Sequence, residues 1–169
     1  MLAKKKILFL VKFLLVQGLL SNAYAQQWFY VDPIKPSDSF SIQINPNTFG
    51  INDVLIEAVI CDRKSKYICI EAPGFSFHVP KNLSSSLNSW RINEIEYISH
   101  LNKRLQIFGL KDQIFLIDKK EGNNTIRFLF SKKRGLIGIG GFSAKSSSIF
   151  LLDIYCGFGA SGQCIDTLK

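Results

Sequence analysis

Histidine is scarce in this chain of 169 residues, which contains only His78 and His100. Two histidines cannot form a three-histidine zinc site, and neither has a second histidine four positions away, as a helical zinc motif requires. The sequence also lacks the G-x-S-x-G motif of many serine hydrolases. We therefore predict no metal, no cofactor and no catalytic residue from these motifs.

Long apolar runs are also rare. Beyond residue 25 the longest runs, such as Ile149 to Leu152, have only the length of a strand, whereas a membrane-spanning helix needs about 20 apolar residues. We therefore expect no transmembrane segment in residues 26–169.

The excess of positive charge is small as well. The chain has 21 Lys and Arg residues against 13 Asp and Glu residues, a net charge of +8, and four of the lysines lie within the first 25 residues. Residues 26–169 therefore carry only half of this net positive charge, which is too little for the basic stripe of a dedicated nucleic-acid-binding protein. It is compatible with attraction to lipopolysaccharide, wall polymers or acidic proteins.

The first 25 residues have the organisation of a secretory signal peptide. Three lysines, Lys4 to Lys6, precede an apolar run from Ile7 to Leu20, and Ala23-Tyr24-Ala25 is typical of a cleavage site. An uncleaved anchor is the alternative, but the run is short and two polar residues interrupt it. The sequence predicts cleavage after Ala25 and one exported domain, residues 26–169, in the periplasm or outside the cell. The lysine-rich leader favours a bacterial protein.

Four cysteines form two close pairs, Cys61 with Cys69 and Cys156 with Cys164. Since exported proteins meet oxidising conditions, we predict two local disulfides, although crossed connectivities remain possible from sequence alone. A four-cysteine zinc site is the alternative, but neither pair has the short spacing that structural zinc prefers.

The glycines between the last two cysteines spell G-x-G-x-x-G, the fingerprint of dinucleotide-binding proteins. Too few residues follow Gly162 to form the helix that would hold a pyrophosphate. We interpret these glycines as residues that let a short disulfide loop turn.

Most of the chain shows the alternation of β-strands. Segments 54–61 and 67–72 predict a hairpin in which Cys61 faces Cys69 and Ile60 faces Ile70. The disulfide would stabilise it by about 2.5 kcal/mol in the chain-entropy model. The same reasoning predicts strands over 40–44, 75–79, 113–118, 125–130, 136–140 and 149–156, and allows Trp28 to Tyr30 to form a first strand.

One segment, 94–108, predicts an amphipathic helix. Asn93 and Glu96 form a capping pattern, apolar residues from Ile95 to Phe108 recur at helical spacing, and Gly109 follows as a helix terminator. Packed on a mainly antiparallel sheet, this helix would give an α+β domain.

Basic residues gather at three expected hairpin tips, one of which carries Lys119 and Lys120. Solvated turns commonly carry lysine, which is the simpler interpretation, but two neighbouring tips would offer an anion-binding surface. These candidate anion-binding residues are Arg63, Lys64, Lys66, Lys132, Lys133 and Arg134.

Export, mild basicity and the absence of a compact catalytic motif favour a non-catalytic envelope or secreted protein. Its partner would be another protein or an anionic envelope component. An inhibitor that inserts the loop between Cys156 and Cys164 into a secreted hydrolase is one form of this hypothesis. The alternative is a small hydrolase acting on wall or glycan substrates through His78 or through dispersed carboxylates such as Glu57, Glu71 and Asp153.

Overall fold

A computed structural model describes residues 26–102, 112–122, 124–143, 147–154 and 156–161. Within these residues all regular secondary structure is β. The thirteen strands are β1 (Gln26–Val31), β2 (Ser39–Asn45), β3 (Thr48–Ile51), β4 (Val54–Glu57), β5 (Val59–Ile60), β6 (Tyr67–Ala72), β7 (Phe75–Pro80), β8 (Ser89–Ile92), β9 (Ile95–Asn102), β10 (Ile114–Glu121), β11 (Asn124–Ser131), β12 (Gly135–Phe142) and β13 (Ser147–Leu152).

Ten strands form one antiparallel sheet in the order β4-β3-β2-β1-β13-β12-β11-β10-β9-β8. This order joins two meanders, β1 to β4 and β8 to β13, through the pairing of β1 with β13, in which Tyr30 lies opposite Leu152. The first and last strands of the described chain therefore meet inside the sheet.

The remaining strands form a three-stranded sheet in the order β5-β6-β7. The predicted strand 54–61 is divided between the two sheets: β4 ends at Glu57, β5 begins at Val59, and the amide of Ala58 between them donates to the carbonyl of Asn47 at 3.0 Å. In the second sheet Ile60 lies opposite Ile70, as predicted.

The core lies between the two sheets and is rich in phenylalanine. Strand β7 is buried along its whole length. On one face of it, Phe75 stacks on Phe49 of β3 with ring centroids 4.5 Å apart, and Phe77 meets Phe128 of β11 edge to face at 5.0 Å. Aromatic pairs of this kind add to the free energy gained by burying their area, so these rings fasten the small sheet to the large one.

The predicted helix over 94–108, and with it the α+β fold class, is wrong. Residues 95–102 form β9, and Asn93 has the positive φ of 52° of a tight turn between β8 and β9 rather than a helix cap. Residues 103–108 lie outside the described part of the chain.

The error has a physical cause in the spacing of the apolar residues. Ile95, Ile98 and Leu101 fit a helical stripe, but alternation also describes this segment, because Tyr97 and Ser99 are buried while Glu96 and His100 are exposed. Ser99 counts as polar in a sequence pattern, yet it occupies an inward position between two neighbouring strands.

Among the described residues the structure contains the predicted disulfide Cys61–Cys69, and none of their cysteines is free. Cys164, the partner predicted for Cys156, lies outside the described residues, as does the leader, residues 1–25.

The other predicted strands are confirmed, most with small shifts of their ends, but the strand predicted over 149–156 ends at Leu152. They correspond to β2, β7, β10, β11, β12 and β13, and residues 26–31 form the first strand. The part of the chain that the structure describes holds no helix of the length and hydropathy required for a membrane span.

Candidate functional site

A groove of about 370 Å³ opens where the β5–β6 loop, the end of β7 and strand β8 meet. Two lysines and two aromatic rings dominate its lining, Lys66, Lys81, Tyr67 and Trp90. Three further residues complete the lining, Pro80, Asn82 and Leu87. No acidic side chain is among these described lining residues, so the charged groups of this lining are both positive.

Backbone contacts fix the position of one of the two ammonium groups. The Nζ atom of Lys81 donates to the carbonyl oxygen of Arg63 at 2.8 Å. The loop that carries this carbonyl is itself held by Asp62, whose carboxylate accepts the amides of Lys64 and Ser65 at 2.9 and 2.8 Å. A turn closed in this way by an aspartate side chain is locally stable, and it brings the β5–β6 loop against the turn that follows β7.

The other lysine lies against an aromatic wall. The Nζ atom of Lys66 is 5.4 Å from the centroid of the Tyr67 ring, which is within the range of a cation–π interaction. The Tyr67 ring in turn packs edge to face on the ring of His78 at 6.2 Å.

The second aromatic wall is Trp90. Its indole stacks on the ring of Tyr97, the residue opposite it on β9, at 5.6 Å and an interplanar angle of 2°. Its Nε1–H donates to the backbone carbonyl of His78 at 3.2 Å. One face of the indole and its single donor are therefore used inside the protein, and the rest of the ring faces the groove as apolar surface.

A buried polar network supports both walls from below. The Ser76 hydroxyl and the Tyr97 hydroxyl are 2.6 Å apart, and Nδ1 of His78 lies 3.3 Å from the same Tyr97 hydroxyl. Lys119 is opposite Tyr97 on β10, is also buried, and pairs with the carboxylate of Glu121. All the polar atoms just described thus have partners, as burial requires.

Burial sets the protonation states in this network. It raises the pKa of Tyr97 to about 12, so the phenol stays protonated at neutral pH. It also lowers the pKa of His78, and the positive charge of Lys119 acts in the same direction, while Glu71 acts in the opposite one. The imidazole is accordingly neutral at neutral pH.

Stability should depend on pH through His78. Because the folded-state pKa lies below the ordinary value of 6.5, the unfolded chain takes up the proton first as the pH falls. The free energy of unfolding should therefore decrease below about pH 6.5 and level off below the folded-state pKa. Denaturant unfolding at about pH 7.5 and about pH 5 should show a smaller pH-dependent loss in His78→Gln than in the unaltered protein.

The matched control is His100→Gln, since His100 is exposed on β9. This variant should keep the pH dependence of the unaltered protein. An equal pH dependence in both variants and the unaltered protein would contradict the assignment to His78.

The network does not have the arrangement of an open catalytic site. Ser76, His78 and Tyr97 are each less than 10% exposed, with relative accessibilities of 9%, 5% and 0%, and the serine hydroxyl bonds to the phenol rather than to the imidazole. Of the carboxylates considered from sequence, Glu71 approaches His78, at 3.9 Å from Nε2. Glu57 lies on β4 and Asp153 follows β13, both exposed. These observations favour a structural role for the network.

The structure separates the six predicted anion-binding residues. Lys66 lines the groove, and Arg63 and Lys64 are exposed in the adjoining loop. Lys132 and Lys133 are exposed in a different turn, between β11 and β12. Arg134 is only 4% exposed and its Nε donates to the carboxylate of Asp112 at 2.5 Å, so it stabilises the fold from inside.

Sequence reasoning missed Lys81, Tyr67 and Trp90 as site residues. Lys81 follows Pro80 in a turn and stands apart from the basic clusters, and Trp90 lies in a segment without a clear strand pattern. The pairing of β6 with β7 sets Tyr67 opposite Pro80 and places Lys81 beside Lys66. Trp90 reaches the same groove from β8 through its hydrogen bond to the His78 carbonyl and its stacking on Tyr97.

Comparisons of the chain with protein-family models, curated proteins and solved structures give no match. Within the described residues, no group of three or more His, Cys, Asp and Glu side chains is placed to hold a metal ion. A functional interpretation therefore depends on the geometry of the groove.

Proposed function

We propose that this protein is a non-catalytic, exported binding module that takes an anionic component of the cell envelope in the groove between the β5–β6 loop and β8. The observation that carries the proposal is the position of Lys66 and Lys81 at one groove whose described lining contains no acidic residue. The predicted signal peptide, residues 1–25, supports the part of the proposal that concerns export.

The size and the support of the groove agree with this function. Its volume of about 370 Å³ falls within the ~300–1,000 Å³ of small-ligand sites. The Lys81 ammonium and the Trp90 indole are already held by hydrogen bonds to the backbone of Arg63 and His78. Groups ordered in this way before binding lose less conformational entropy when a ligand arrives.

Column retention tests the proposal directly. Residues 26–169 with the disulfides intact should be retained on heparin and lipopolysaccharide columns at low salt. The double variant Lys66→Gln/Lys81→Gln should elute at clearly lower salt, because it removes both ammonium groups from the groove. Circular dichroism and thermal unfolding establish that the variant is folded.

The control with the same change in net charge is Lys132→Gln/Lys133→Gln, which neutralises two exposed lysines in the β11–β12 turn. If retention depended only on the net charge of the protein, both double variants would lose the same amount of retention. Equal elution of the two, or no retention of the unaltered protein, would overturn the proposal.

A further inference from the structure

We infer that the ligand of this groove is an acidic saccharide, a sugar ring that carries a carboxylate or a phosphate. This inference rests on the proposed function and adds the chemical class of the ligand. It follows from what the walls of the groove can and cannot offer.

The aromatic walls offer apolar surface without hydrogen-bond donors from the indole. The Nε1–H of Trp90 is already used by the His78 carbonyl, and one face of the ring is covered by Tyr97. What remains is ring surface, flanked by Pro80 and Leu87. Such a surface packs against the C–H face of a sugar ring, whereas it gives a bare inorganic anion nothing to bind.

The polar groups lie beside these rings rather than in a cluster of their own. Lys66 and Lys81 supply positive charge and Asn82 supplies an exposed amide, which can both donate and accept hydrogen bonds. A ligand that uses every part of the lining needs a negative charge, hydroxyl or amide groups, and an apolar face. A sugar acid has all three.

The volume excludes a compact anion as a full occupant. At about 370 Å³ the groove offers far more than the ~10–15 Å³ that one water molecule needs in this measure, so a single phosphate or sulfate would leave most of it unfilled. An acidic peptide could pair with the two lysines, but its carboxylate side chains would place no flat apolar surface against the aromatic rings.

Isothermal titration calorimetry with defined probes tests the inference. The acidic saccharides are trigalacturonate and glucosamine 6-phosphate. The comparison probes are the neutral galactose trisaccharide, a short glutamate peptide and inorganic phosphate. We expect at least one acidic saccharide to bind at least tenfold more tightly than each of the comparison probes.

Aromatic variants separate the class of the ligand from its charge. Tyr67→Leu and Trp90→Phe should each weaken binding of the acidic saccharide several-fold, and two variants are used so that a folding defect in one leaves the other informative. If neither variant changes the affinity, or if the peptide or phosphate binds as tightly as the saccharides, the saccharide assignment is wrong.

The two proposals fail differently in this experiment. If Lys66→Gln/Lys81→Gln abolishes binding of every anionic probe but the saccharides have no advantage, the anion-binding function stands and the saccharide class falls. If the lysine variant leaves binding of all probes unchanged, both proposals fall together.

Discussion

Replacing Phe77 with alanine should lower the free energy of unfolding by about 3–5 kcal/mol, the range for a fully buried phenylalanine. The Phe77 side chain is 0% exposed and meets three rings from other elements, Phe128, Phe130 and Phe158. Truncation would leave a cavity between the two sheets, where rigid strands on both sides prevent collapse. Urea unfolding followed by fluorescence measures the loss.

The control for this prediction is Phe29→Ala, the same truncation on β1 of the large sheet, where the side chain is 49% exposed. It should cost much less, because the side chain is half hydrated in the folded protein. A similar loss in the two variants would show that Phe77 does not fasten the small sheet to the large one.

The second large effect is expected from Gly135→Ala at the start of β12. Gly135 has a φ of 76°, and a Cβ atom there would lie 2.2 Å from the carbonyl oxygen of Phe158 and 2.7 Å from that of Gly157. Since these are backbone atoms, the 157–160 segment would have to move away from β12. The left-handed conformation costs about 1–2 kcal/mol, and overpacking adds about 1–3 kcal/mol.

Gly74→Ala is the control that separates the conformational cost from the steric cost. Gly74 has the same φ of 76° in the turn between β6 and β7, but a Cβ atom there would meet nothing within 4 Å. The free energy of unfolding of Gly74→Ala should therefore fall only by the cost of the left-handed conformation, about 1–2 kcal/mol. Thermal unfolding of both variants gives the difference, and equal losses would argue against close packing of the 157–160 segment on β12.

The sequence predicts local pairing in this protein well. The hairpin around Cys61 and Cys69 and the hairpin of β10 and β11 follow from alternation and turn residues, which are properties of neighbouring positions. The mistaken helix has the opposite cause. Around Tyr97 two periodicities fit the same residues, and only the neighbouring strands β8 and β10 decide between them.

The candidate site could be predicted only in part for a related reason. Lys66 stands out in the sequence because basic residues cluster beside it, and Lys81 lies beside it at the end of the β6–β7 hairpin. Trp90 becomes part of the same groove only through the contacts of β8 with β9 and β7. His78 attracts attention as one of only two histidines. That it is buried and bonded to Tyr97 depends on how β7 packs across β9, which no local pattern contains.

The pairing of β1 with β13 has a consequence for how the protein acquires its structure. Strand β1 lies between β2 and β13, so one of its edges stays without a partner until almost the whole polypeptide is available. Contacts between such remote segments slow folding because a large loop must close before they form. If the chain crosses a membrane from its N-terminus, strands β1 to β4 emerge first, and one edge of β1 stays unpaired until β13 follows. Such an edge is prone to pair with other chains until β13 covers it.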